Sequence, residues 1–391
     1  VIMEPKNWNV YLFRDILERV EVPVNVESNK EYVQIGIRSH GKGLFYKEPV
    51  LGKALGNKQV FWIQPNCFIL NVVFAWEQAI TKTTENEIGM IGSHRFPMYR
   101  PKNDLVDIDY LIYYFLTKRG TDILEAASPG GAGRNRTLGQ ERFLKSKITL
   151  PPLSEQQKIA AILSTQDKVI ELKEKLLAQK QQQKKYLMQQ LLTGKKRLPG
   201  FDRKWNYVKA NEIFKSIVDK SHGGKLEVLS STQDKGIVPR SQVDIDIKYN
   251  ENSLSTYKKV CEGDFVISLR SFQGGIEYSN YAGIVSPAYT VLRAIVKIDA
   301  GYYKQFFKSS NYIKRLNVAV YGIRDGKQIS YDDFGQIKIP VPPIEEQREV
   351  AKVLSTADHE IDLLQKSIEA EKQKKKALMQ LLLTGKVRVK I

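Results

Sequence analysis

The segment that opens Pro151-Pro152-Leu153-Ser154-Glu155-Gln156 returns 191 positions later as Pro342-Pro343-Ile344-Glu345-Glu346-Gln347. Both copies run through Leu-Ser-Thr at 163–165 and 354–356 and close on Leu-Leu-Thr-Gly-Lys at 191–195 and 382–386. About half of the positions between opening and close are identical, and no gap is needed to align them. A duplication of this kind fixes the architecture before any local reading. It predicts two halves, each a variable body followed by a common segment, with boundaries at 1–150, 151–197, 198–340 and 341–391.

Each common segment reads as one helix. In the second copy a stripe spaced by four and three residues runs through Val350, Leu354, Ala357, Ile361, Leu364, Ile368, Glu371, Lys375, Leu378 and Leu382. The first copy carries Ile159, Leu163, Gln166, Ile170, Lys173, Leu177, Lys180, Lys184, Leu187 and Leu191. A period of 3.5 is that of helices packed along their length. Both stripes turn polar in the same stretch. The Pro-Pro pair fixes an extended entry, and Gly194 and Gly385 stand where a C-terminal cap belongs. At 1.5 Å per residue such a helix is about 60 Å long, more than a compact domain of this size is wide.

Chain order sets direction. The second body starts where the first helix ends, and a compact domain keeps its termini close. The second helix must therefore run back along the first. The expected fold is α+β, with two globular bodies at opposite ends of a long antiparallel two-helix coiled coil and an approximate two-fold axis.

The chain has 391 residues and a net charge of +18, spread over every segment with no basic tail. A dispersed positive field favours a polyanionic partner, above all nucleic acid. Cys67 and Cys261 fall one in each half with no CxxC partner, and the four histidines keep no ligand spacing. Reduced thiols are expected, with neither a disulfide framework nor a metal site. No apolar run reaches membrane length and no signal sequence is visible, so a cytoplasmic protein that does not engage a membrane is expected. Zincin, P-loop, kinase and nucleophile-elbow motifs are missing, as is an Asn/Asp-Pro-Pro-Tyr/Phe tetrapeptide. No catalytic residue is assigned.

The bodies share a plan. Each opens on an Asn- or Lys-Trp pair (Asn7-Trp8, Lys204-Trp205), followed by Phe13 or Phe214 in an expected short helix. Strands are expected over 32–37, 60–63 and 67–70, and over 226–229 and 264–269. One helix follows in each body, over 109–126 and 302–319. Phe143, Lys147 and Ile148 then match Phe334, Lys338 and Ile339 at the same offset of 191. Candidate DNA-contacting residues lie in turns and Gly-rich loops: Lys42, Arg134, Asn135 and Arg136 in the first body, and Lys235, Arg324, Lys327 and Gln328 in the second. These residue types pair with base edges or phosphates, although a solvated loop charge is the commoner fate of any one of them.

The tandem Pro-Pro-x-x-Glu-Gln openings, Leu-Ser-Thr segments and Leu-Leu-Thr-Gly-Lys closings resemble the specificity subunit of type I restriction-modification systems, over the whole chain. The resemblance implies that each body is a target-recognition domain reading one half of a split, asymmetric site on double-stranded DNA. It implies that the helices act as a ruler for the unread gap and dock two methyltransferase subunits. Spacer and docking roles then fall on Ile159, Leu163, Ile170, Leu177, Leu187 and Leu191, and on Val350, Leu354, Ile361, Leu364, Ile368, Leu378 and Leu382. No cofactor is expected on this chain. S-adenosylmethionine, ATP and Mg belong to partner subunits, the last two with a restriction subunit that joins to cut DNA. Two other readings compete: a coiled-coil adaptor with incidental DNA affinity, and an enzyme with an unfamiliar site.

Overall fold

A computed structural model of the chain describes residues 7–56, 59–130, 136–243, 251–269, 271–319 and 329–390. It divides into two compact units, Val1–Lys173 with Ser367–Ile391, and Glu174–Lys366. Each unit therefore takes one body, the opening part of one repeated segment and the closing part of the other.

Both repeated segments are single helices, Leu153–Leu191 and Ile344–Leu382. They stop at Gly194 and Gly385, each at φ +69°. There Lys196 N donates to Gln190 O, and Val387 N to Leu381 O, both at 3.2 Å. This is the wrap-around bond of a glycine cap, and it needs a residue without a Cβ penalty at positive φ.

Within each unit the two helix parts run antiparallel. In the first, Gln166 Nε2 donates to Glu371 Oε2 at 2.8 Å, Lys173 Nζ meets Glu371 Oε1 at 2.8 Å, and Lys375 Nζ meets Asp167 at 2.5 Å. In the second, Lys180 Nζ meets Glu360 at 2.7 Å, and Lys184 pairs with Asp358. The polar seam positions seen in the sequence are thus filled by cross-helix ion pairs. Lys173 and Gln166 hold the Glu371 carboxyl down to about 2.

The bodies repeat their central sheet and the ribbon that closes them. The first sheet orders its strands Leu17–Val20, Met98–Pro101, Phe68–Leu70 and Ile80–Lys82, all antiparallel. The second orders Phe214–Ile217, Thr290–Ala294, Phe265–Ile267 and Glu277–Tyr278 in the same way. A two-stranded ribbon ties the start of each body to its end: Asn9–Leu12 with Lys147–Leu150, and Asn206–Lys209 with Lys338–Val341. Each core centres on four phenylalanines. Phe13 and Phe143 stack at 4.7 Å beside Phe68 and Phe115, while Phe214 meets Phe265, Phe307 and Phe334 within 6.2 Å. Ile159, Leu163, Leu382 and Leu383 join the first core, and Leu191, Leu192, Val350 and Leu354 the second.

Several local expectations change. The single helices expected over 109–126 and 302–319 are each two, Ile108–Phe115 with Lys118–Ala127, and Ala300–Phe307 with Ser310–Ala319. The break sits at a hydroxyl. Thr117 Oγ1 donates to Tyr114 O at 2.6 Å and accepts from Gly120 N at 3.2 Å. Ser309 Oγ does the same to Phe306 O at 2.7 Å and from Tyr312 N at 3.3 Å. Such side chains compete with the helical ladder and start a new N-terminus. Phe214 lies in a strand rather than a helix, with a short 3-10 turn, Ala210–Glu212, before it. The run 32–37 splits into Glu31–Tyr32 and Ile35–Ile37, which pair with different strands. The run expected over 226–229 enters a strand only at its last residue, in Leu229–Thr232.

Candidate functional site

The repeated motifs meet each other. Glu155, from the first opening, has a side chain only 1% exposed and accepts from Arg388 Nε and Nη2, both at 2.6 Å. Glu346, from the second opening, accepts from Arg197 Nε at 2.5 Å and Nη2 at 2.6 Å. Arg197 and Arg388 stand 191 positions apart, just past each closing Thr-Gly-Lys. Each clamp therefore joins the opening of one copy to the tail of the other. Carboxylate hydrogen bonds hold both guanidiniums above the ordinary arginine range. In the second unit Trp205 Nε1 also donates to Glu346 Oε2 at 2.8 Å, and the Arg197 guanidinium lies 5.2 Å over the Trp205 ring. Burying a carboxylate is costly unless it is paired and hydrogen-bonded in this way.

The neighbouring glutamine positions the body. Gln156 Oε1 accepts from Asp107 N at 2.9 Å, and its Nε2 donates to Leu105 O and Pro151 O at 2.9 Å each. Gln347 repeats the arrangement on Asp299 N and Pro342 O, both at 2.9 Å. Asp107 and Asp299 in turn cap the first body helix, accepting from Tyr110 N at 2.8 Å and Tyr302 N at 2.9 Å. The Glu-Gln pair of each opening thus grips the opposite tail with one residue and its own body with the next.

The candidate DNA contacts divide. Lys42 is exposed in the turn between Ile35–Ile37 and Leu44–Tyr46. That turn is fastened by His40 N to Glu77 O at 2.8 Å and Gly41 N to Gln78 O at 2.9 Å. Arg136 lies over the ring of Trp76, 5.6 Å away, beside the same Glu77 and Gln78. Lys42 and Arg136 therefore flank one 3-10 turn, Ala75–Glu77. Lys235 is exposed in the corresponding turn of the second body, between Leu229–Thr232 and Gly236–Pro239. Its neighbour Gln233 is held by Lys308 Nζ on Gln233 O at 3.2 Å. Arg134, Asn135, Arg324, Lys327 and Gln328 lie outside the described residues.

The seam residues are used by the chain itself. Ile159, Leu163, Ile170, Leu191, Val350, Leu354, Ile368 and Leu382 are buried, and Leu177, Leu187, Ile361, Leu364 and Leu378 are half-buried. Exposed apolar side chains on the long helices are others: Leu172, Leu176, Tyr186, Leu363 and Leu381. Sequence reasoning missed Arg197, Arg388 and the role of Trp205. The shared offset of the two arginines was the available signal. Among the described residues no cluster of His, Cys, Asp and Glu could hold a metal ion, and no helix is long and apolar enough to cross a membrane.

Two bodies with the same central sheet order, each tied to the duplicated helices by the same clamp, mark a protein with two recognition domains. The family model described as the type I restriction modification DNA specificity domain matches residues 25–181 and 202–372. The chain is 26% identical to the type I restriction enzyme MjaVIII specificity subunit of Methanocaldococcus jannaschii, covering 99% of this chain and 94% of that one. Its fold is similar to that of the HsdS subunit from Thermoanaerobacter tengcongensis, with a TM-score of 0.56, 21% identity and 98% of each chain covered. It is also similar to a chain from a study of complex assembly and conformational transition of the type I R-M system, with a TM-score of 0.62 and 20% identity, covering 98% of this chain and 100% of that one. The chain belongs to this family: it is a type I restriction-modification DNA specificity subunit with two target-recognition domains.

Proposed function

We propose that the chain reads a split, asymmetric DNA target, one half with each body, and docks two methyltransferase subunits while carrying no active site of its own. The carrying observation is that the frame is duplicated while the loops it presents are not. The first hairpin turn reads His40-Gly41-Lys42-Gly43, whereas the equivalent turn reads Gln233-Asp234-Lys235-Gly236. One scaffold with two loop chemistries suits two unlike half-sites, read by side chains on base edges. Docking of the methyltransferase subunits falls on exposed apolar residues of the long helices, Leu172 in the first unit and Leu176 and Leu363 in the second, because the seam residues already face their own unit. S-adenosylmethionine, ATP and Mg are assigned to partner subunits, and the work of the chain to the cytoplasm. Co-expression with the methyltransferase encoded alongside it, followed by methylation mapping of host DNA, tests this reading. One split adenine-methylated motif, lost when the chain is omitted, is the expected result. A stable complex without a motif would favour an adaptor instead.

A further inference from the structure

In the second unit a cleft of about 760 Å³ opens between the last turns of Leu153–Leu191 and the helix Ser310–Ala319, lined by Lys184, Lys185, Lys195, Lys308, Lys314 and Arg315. Among the described residues no carboxylate lines it. Lys184 and Lys308 are committed to Asp358 and to buried Glu277. Lys185, Lys195, Lys314 and Arg315 are exposed, and no carboxylate among the described residues pairs with them. The first unit has a counterpart of about 490 Å³ with no carboxylate among the described residues on its walls, where Lys375 is committed to Asp167 while Arg119 and Lys376 are exposed. Lys375 and Lys376 follow Lys184 and Lys185 by the repeat offset of 191.

We propose that these clefts hold the DNA sugar-phosphate backbone, a sequence-independent grip separate from the base-reading tips. The inference rests on the DNA-reading role above. A surface that reads bases must differ between two unlike half-sites, whereas one that holds phosphates need not. The helix wall of each cleft is the repeated one, with Lys-Lys, Met188 or Met379, and Thr193 or Thr384 unchanged between copies. Exposed lysines are the residue type depleted from protein–protein interfaces, and they suit a ligand that stays hydrated and carries regularly spaced charge.

The test uses the complex with its methyltransferase. Binding to a target duplex and to a scrambled duplex is measured between about 50 and 200 mM salt for the wild type and for the triple variant K185Q/K314Q/R315Q. Both affinities are expected to fall by the same factor, about tenfold or more. The slope of log affinity against log salt becomes shallower by about 2–3, close to 0.9 for each phosphate that the variant leaves unneutralised. The methylated motif stays the same. The pair R119Q/K376Q, in the other unit, serves as an independent variant with the same expected pattern. An unchanged slope with an intact motif would overturn the inference. So would a loss confined to the target duplex, which marks base reading, or loss of the methyltransferase from the complex, which marks a protein dock. A wild-type complex that methylates no split motif would remove the underlying DNA-reading role, and this grip with it.

Discussion

Arg388 closes on Glu155 across 233 residues of chain, with both hydrogen bonds at 2.6 Å and the carboxylate 1% exposed. The tail after the second Gly-Lys is therefore a structural part of the first unit. Removing the guanidinium strands a buried charge, which costs more than the pair itself contributes.

Arg388→Ala is expected to destabilise the first unit by about 2–3 kcal/mol, less than the full penalty for a buried pair because Arg388 is partly solvated. Arg388→Lys should recover only part of this, since an ammonium cannot make the parallel pair of bonds. Urea unfolding of the three proteins checks it. Equal stability of wild type and Arg388→Ala would mean that the clamp contributes nothing.

Arg197→Ala should cost more than Arg388→Ala. Glu346 also holds Trp205 Nε1, and the guanidinium covers that ring, so the substitution uncovers an indole as well as a carboxylate. The expected loss is about 3–4 kcal/mol. The fluorescence of Trp205, against a Trp205→Phe control, should shift to the red. An unshifted spectrum would show that the ring is held by its other neighbours.

Acid should loosen the helix pairing in the first unit. The carboxyl of Glu371 falls from an ordinary 4.5 to about 2 in the folded chain, so the folded state binds fewer protons than the unfolded one. Its contribution is complete above about 4.5 and is lost as pH falls toward 2. The double variant Lys173→Leu with Glu371→Leu should lose this acid sensitivity and be as stable as wild type or more so at neutral pH. Melting temperatures at about pH 7, 4 and 2.5 separate the cases. A variant as acid-sensitive as wild type would place the effect elsewhere.

Trp76→Ala should behave like Arg136→Ala in target reading. The ring fixes the guanidinium beside the tip that carries Lys42. Each substitution is expected to weaken discrimination at one half-site by about 1–3 kcal/mol and leave the other untouched. Binding to duplexes altered in one half at a time measures it. If Trp76→Ala leaves both halves unchanged, the stacking has no part in reading.

The frame was legible in the sequence because a 3.5-residue period, a Pro-Pro entry and a glycine stop are local signals. Even the polar seam was placed, where Lys173, Lys180 and Lys184 now meet carboxylates on the other helix. The clamps escaped because Glu155 and Arg388 are joined by tertiary geometry alone, and periodicity carries no information about that. The break at Thr117 and Ser309 escaped because a hydroxyl that caps a helix looks, in sequence, like one that rides along it. The tips were recognisable as turns through Lys42-Gly43 and Lys235-Gly236. Trp76 was not singled out, since a lone aromatic in a body reads as core.

The crossed clamps also bear on inheritance. Each acid belongs to one copy and its base to the other, so each copy contributes to both units. Neither copy is free to decay as a spare. Yet the acid and the base are the same residue types in both copies, so every opening suits every tail. Selection on such a chain ties the two frames to a common spelling and releases the tips to diverge, which lets a lineage acquire a new target without relearning how to fold.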